Sequence, residues 1–121
     1  MILVVEDKEG VRLIIKAVLE RSGYQTLMAN NGEEAVALWN QRKAQIDLLF
    51  TDVVMPGGVT GKDLADKLRI ERPSLKVVFC SGFGADIIGQ EIVSAPGNYF
   101  LAKPFDIDRL KQVVSEALAS A

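Results

Sequence analysis

The stretch IDLLFTDVVMPGGVTG, residues 46–61, decides how the chain is read. Its apolar run, Leu48-Leu49-Phe50, leads to one carboxylate, Asp52, and the chain then breaks at Met55-Pro56-Gly57-Gly58. A short apolar run bounded by turn residues suits a strand buried on both faces. An aspartate just past such a strand stands at the carboxyl edge of a parallel sheet, where open α/β folds bind ligands. Taken alone, Asp52 reads equally well as a turn residue, since Asp is common in turns. The rest of the chain separates the two readings.

Working outward, strand-like runs recur at 2–5, 24–29, 47–51, 76–80 and 98–102, and segments of helical spacing lie between and after them. The first helix carries Val11, Ile14, Ile15 and Val18 on one face, and Gly23 stops it. The 24–29 run is more polar, as a strand nearer an edge would be. Asn31 caps the second helix, with Glu33 and Glu34 in its first turn and Ala35, Leu38 and Trp39 turned inward. Gly61 and Lys62 open a third helix, buried through Leu64 and Leu68 and closed by Pro73. A fourth, over 85–93, has helical spacing at Ile88 and Ile92. It carries Gly89 inside, which costs about 1 kcal/mol against helix, so this is the least firmly held segment. Asp106 caps the last helix, with Ile107, Leu110, Val113, Val114, Ala117 and Leu118 inward. Five strands alternating with helices through short connections predict an α/β fold, a parallel sheet with helices on both faces. With 121 residues and no repeat, low-complexity tract or linker, the expectation is a single domain over 1–121.

Composition narrows the chemistry. Hydrophobic residues make up 49% and charged residues 25%, as in a water-soluble globular protein, and a net charge of −2 argues against nucleic-acid binding by this chain. No apolar run approaches the roughly 20 residues of a membrane span, and no signal peptide is evident. The single cysteine, Cys80, reads as a buried small residue and fits a reducing, cytoplasmic setting. With no histidine, the chain has no His-based acid–base catalysis, no His metal ligand and no phosphohistidine of its own.

The strand ends collect a specific set: Glu6 and Asp7 after the first strand, Asp52 after the third, Ser81 after the fourth and Lys103 after the fifth. Singly these are ordinary features: a helix-start acid pair, two turns and a strand exit. In a doubly wound sheet they converge on one crevice. Three carboxylates close together call for a cation, and an all-oxygen donor set points to Mg²⁺ or a similar hard ion. Lys103 suits a phosphoryl oxygen, Ser81 offers a hydroxyl, and a carboxylate can attack phosphorus to give an aspartyl phosphate. The set points to phosphoryl transfer onto Asp52.

The motifs LVVED (Glu6, Asp7), LLFTDVVMPG (Asp52), VVFCSG (Ser81) and FLAKPF (Lys103) together resemble the receiver domain of two-component, or phosphorelay, signalling, essentially end to end. The resemblance implies a flavodoxin-like sheet in order 2-1-3-4-5 and a cis bond at Lys103–Pro104. It implies that Asp52 takes a phosphoryl group from a phosphohistidine on a histidine kinase or phosphotransfer domain. Mg²⁺ would be held by Glu6, Asp7, Asp52 and the backbone carbonyl of Val54. Ser81 and Lys103 would bind the phosphoryl oxygens, and their rearrangement would couple to Phe100. The surface formed by the 85–93 helix, the 98–102 strand and the last helix would then change its preference for a downstream phosphotransfer or effector protein. Ser81 stands where many members have Thr, and Phe100 lacks the hydroxyl of Tyr. The wording MPGGVTGKDLADKL and PGNYFLAKPF resembles receivers carried by hybrid sensor histidine kinases, which implies a piece of a longer chain. Three other readings compete. A dehalogenase-type phosphatase wants a second acid at position 54, where Val54 stands. A flavodoxin wants a phosphate-cradling loop where Glu6 and Asp7 stand. A pseudo-receiver that only binds partners would not need all five polar groups.

Overall fold

The computed structural model describes residues 1–54, 60–82 and 96–119. In chain order the elements are β1 (Ile2–Val5), α1 (Glu9–Arg21), β2 (Thr26–Ala29), α2 (Gly32–Arg42), a 3-10 turn (Lys43–Gln45), β3 (Leu48–Asp52), α3 (Gly61–Glu71), β4 (Lys76–Ser81), β5 (Asn98–Ala102) and α4 (Ile107–Ala119). The helix expected over 85–93 lies outside the described residues. The strands form one parallel sheet ordered β2-β1-β3-β4-β5, the flavodoxin-like order that the resemblance implied.

Alternation along each strand divides the core in two. Leu3, Val5, Leu49, Val77 and Phe79 face α2 and α3, where they meet Trp39, Leu64 and Leu68. Ile2, Val4, Phe50, Val78 and Cys80 face the other way, onto Ile15, Leu19, Leu110 and Val114 of α1 and α4. Both strand faces are covered, which is why these strands read as unbroken apolar runs.

The helix ends are closed by local side chains. Asn31 Oδ1 accepts from the Glu34 amide at 2.9 Å, and Asp106 Oδ1 accepts from the Arg109 amide at 2.7 Å. Thr60 and Asp63 form a reciprocal capping box at the start of α3. Gly23, at φ 94°, ends α1 with its amide on the Glu20 carbonyl.

Four expectations are corrected. Asp52 is the last residue of β3, paired with Cys80, and Ser81 the last of β4, paired with Ala102, rather than residues beyond their strands. Ile14 is 56% exposed while Leu19 is fully buried. Val11, Ile15, Val18 and Leu19 share an arc of about 100°, and Ile14 lies at its margin. Ile107 is 53% exposed. Helical side chains lean toward the N-terminus, so at the first position of α4 this one overhangs the packed part of the helix.

At the opposite end of α3 from its cap, Arg72 stacks on Trp39, its guanidinium 4.8 Å from the ring centroid. It also donates to the carbonyls of Lys43 and Ile46. Trp39 Nε1 donates to Glu71, and this bond, with those from Lys43, holds the Glu71 carboxyl below its ordinary pKa. Replacing Arg72 with alanine removes the stacked cation and two carbonyl partners. Urea unfolding is expected to show a loss of about 2 kcal/mol.

Candidate functional site

The parallel register brings the strand ends level, so residues distant in sequence meet at one edge. β1 delivers Glu6 and Asp7, β3 ends on Asp52, β4 ends on Ser81, and β5 leads into Lys103. Asp7, Asp52, Val54, Ser81, Lys103 and Pro104 all line one open crevice of about 960 Å³. Glu6 stands behind it, 1% exposed. Phe100 lies apart from this group. It pairs with Phe79 across the sheet and packs against the α2–α3 side of the core. The peptide bond Lys103–Pro104 is cis.

Lys103 is the electrostatic centre. Its Nζ lies 2.9 Å from Glu6 Oε2 and 3.1 Å from Asp52 Oδ2. Its amide donates to the Ser81 carbonyl at 2.9 Å, tying the β5 exit to the end of β4. Burial works against the ammonium, but hydrogen bonds from Lys103 to Glu6 and Asp52 overcome it and raise its pKa. Asp52 is pushed up to about 6, first by burial and then by repulsion from Glu6, with Lys103 opposing both and Asp7 adding to them. Cys80, buried beside Asp52, is raised to about 12 by loss of solvent, so its thiol stays protonated.

Glu6, Asp7 and Asp52 each place an oxygen within 4.8 Å of the others. Lys103 can balance only one of three ionised carboxylates. Excess negative charge, oxygen-only donors and one exposed carboxylate beside two buried ones fit a small divalent cation that keeps part of its water shell.

Other contacts at this edge had no counterpart in the sequence reading. Arg12 donates from Nη1 to the Glu6 carbonyl at 2.9 Å, and the Lys8 amide reaches Glu6 Oε1 at 3.2 Å. Thr51 Oγ1 donates to the Asp52 carbonyl at 3.0 Å, and Gly61 abuts that same carbonyl so closely that a Cβ would lie 2.1 Å from it. A faint signal existed for two of them. The arginine stands one helical turn into α1, close after the acid pair, and the glycine opens a helix, where glycine is otherwise a weak choice.

Comparison with known protein families matches residues 2–115 to the response regulator receiver domain. The chain belongs to that family. Among solved structures, the receiver domain of NtrX from Brucella abortus superposes with a TM-score of 0.90 at 31% identity, covering 100% of both chains. Sporulation initiation phosphotransferase F of Bacillus subtilis is 29% identical over 97% of this chain and 92% of its own length. Sensor kinase CckA of Brucella abortus is 32% identical over 97% of this chain, which spans 12% of that protein. Receiver domains serve two-component signalling as phosphoacceptors, and the acidic cluster of this receiver sits where its fold gathers the strand ends. The dehalogenase-type and flavodoxin readings fall away with the family assignment. Among the described residues, no helix is long and apolar enough to cross a membrane.

Proposed function

We propose that this receiver, one unit over 1–121, takes a phosphoryl group onto Asp52 from a phosphohistidine on a histidine kinase or phosphotransfer domain, in the cytoplasm and with Mg²⁺ as cofactor. The observation that carries the reading is Lys103, held within hydrogen-bond reach of Asp52 Oδ2 at the mouth of a three-carboxylate cluster. Asp52 attacks phosphorus through a carboxylate oxygen. The new P–O bond forms as the P–N bond to the donor imidazole breaks, and the electron pair leaves with the imidazole nitrogen, which takes a proton. Lys103 and Ser81 receive the phosphoryl oxygens as charge spreads over them. Glu6, Asp7, Asp52 and the Val54 carbonyl would hold the cation, whose charge would offset that of the incoming group. Ile14 and Val54 line the crevice while standing 56% and 69% exposed, giving the donor protein an apolar margin to dock on.

Once Lys103 and Ser81 turn toward the phosphoryl group, the rearrangement reaches Phe100 and changes the surface around β5 and α4 that a downstream phosphotransfer or effector protein reads. The similarity to Sensor kinase CckA supports a place in a longer hybrid kinase chain.

Intact-mass measurement with acetyl phosphate or phosphoramidate tests the reading. A single phosphoryl adduct is expected in Mg²⁺ and none in EDTA. Equal yield in EDTA would overturn the metal-dependent step. If neither donor gives an adduct, beryllofluoride with Mg²⁺ decides. Shifts in the amide spectrum at Asp52, Ser81 and Lys103 would keep the phosphoacceptor reading, and an unchanged spectrum would leave a module that only binds partners.

A further inference from the structure

Glu6 has every polar group engaged. Its amide donates to the Ala29 carbonyl at 3.1 Å and joins β1 to β2. Its Oε1 accepts from the Lys8 amide at 3.2 Å and its Oε2 from Lys103 at 2.9 Å. Its carbonyl, the group that sets the direction of the next residue, accepts from Arg12 Nη1 at 2.9 Å. Asp7, next in sequence, is exposed and faces the crevice. The turn from β1 into α1 must therefore bring two adjacent carboxylates beside a third against their mutual repulsion. Besides Glu6 itself, whose Oε1 takes the Lys8 amide, Arg12 bonds the backbone of that turn, at the Glu6 carbonyl. It does so from the first full turn of α1, where its own amide is held by the Lys8 carbonyl at 2.9 Å.

We propose that Arg12 is a positioning residue for the divalent-cation site. Its bond to the Glu6 carbonyl fixes the peptide between Glu6 and Asp7, and so presents the Asp7 carboxylate to the cluster before any cation arrives. Arg12 touches neither the cation nor the phosphoryl group. The inference rests on the metal-dependent reading above. Groups that orient metal ligands without binding metal commonly change affinity by an order of magnitude or more.

The sign of the effect separates positioning from simple charge. A guanidinium bonded to the backbone beside this cluster repels an incoming cation, so if Arg12 were only a nearby charge its removal would tighten Mg²⁺ binding. If it holds the turn, its removal weakens binding. The experiment is Mg²⁺ titration by calorimetry and by ¹⁵N amide shifts on the intact chain, comparing the parent with Arg12→Ala, Arg12→Met and Arg12→Lys. Arg12→Met keeps the apolar stem and serves if Arg12→Ala does not fold. The expected result is Mg²⁺ affinity three- to tenfold weaker in the neutral variants, with displaced metal-free amide resonances at Asp7 and Lys8. Arg12→Lys, which keeps a cation able to reach the carbonyl, should return affinity to within about twofold of the parent. Unchanged or tighter binding in Arg12→Met would overturn the proposal, as would weaker binding in Arg12→Lys equal to that in Arg12→Met. If the parent itself binds no Mg²⁺, it is the metal-dependent reading that fails, and Arg12 has no site to position.

Discussion

The Asp52→Asn receiver is expected to take up no phosphoryl group from acetyl phosphate in Mg²⁺. In EDTA at pH 7 it should be more stable than the parent by about 2–3 kcal/mol. Both effects come from one carboxylate held where solvent cannot support its charge. The amide oxygen of asparagine is a far weaker nucleophile toward phosphorus, so the adduct should vanish. An adduct that persists on another residue would displace Asp52 as acceptor. The stability gain follows from the pKa. Burial and the Glu6 charge push Asp52 up to about 6, against 3.8 for a free carboxyl. The folded state then binds this proton more tightly than the unfolded state. Below about pH 4 both states are protonated and nothing is lost. As pH rises from about 4 to about 6 the unfolded carboxyl ionises first, and stability falls, by about 1.4 kcal/mol for each unit of difference. Above that range the loss is constant. Asparagine carries no such charge, so the gap between the two proteins should open over this window and stay open at pH 7. Denaturant midpoints at pH 4 and 7 measure it. Parallel profiles for parent and variant would show that Asp52 is not strained in the metal-free fold.

The carboxyl edge of the sheet was legible in the sequence because its side chains are placed by counting along strands. Glu6, Asp7, Asp52, Ser81 and Lys103 each follow an apolar run, and the parallel fold alone brings such positions together. The strand order was not legible in the same way. Alternation of strand and helix is common to every doubly wound order, and 2-1-3-4-5 came from resemblance. Hydrophobic spacing located α1 but misplaced Ile14, because an exposed apolar residue at the margin of the buried arc has the same sequence signature as one in the core. Arg12 and Gly61 were missed for a different reason. Each acts on a backbone carbonyl, and sequence patterns of side-chain chemistry carry only a faint mark of where carbonyls end up.

Gly61→Ala is expected to be the most damaging small substitution in the described chain, costing about 3 kcal/mol and weakening Mg²⁺ binding as well. The reason is space: a Cβ at Gly61 would lie 2.1 Å from the Asp52 carbonyl oxygen, 3.0 Å from its carbon and 3.1 Å from Thr51 Cγ2. The first two are backbone atoms and cannot rotate away. Thr51 Oγ1 already bonds that oxygen, the Gly61 amide bonds the Val53 carbonyl at 2.8 Å, and the Val53 amide bonds the Cys80 carbonyl at 2.9 Å. Either α3 retreats by about 1 Å and loses its bond to Val53, or β3 shifts and carries Asp52 with it. The second outcome moves Asp52 relative to Lys103 and Asp7, and the first leaves the Val53 carbonyl, next to Asp52, without its Gly61 partner, so stability and metal affinity should fall together. Gly10→Ala is the matching control. Gly10 lies in the first turn of α1 with nothing within 4 Å of its would-be Cβ. The same added methyl should stabilise the receiver there by about 0.5 kcal/mol, through helix propensity and a less flexible unfolded chain. Urea midpoint shifts of opposite sign for the two glycine variants, with Mg²⁺ affinity lost only in Gly61→Ala, would establish that α3 braces Asp52 from behind. Parent-like stability and affinity in Gly61→Ala would show that β3 stands without that brace.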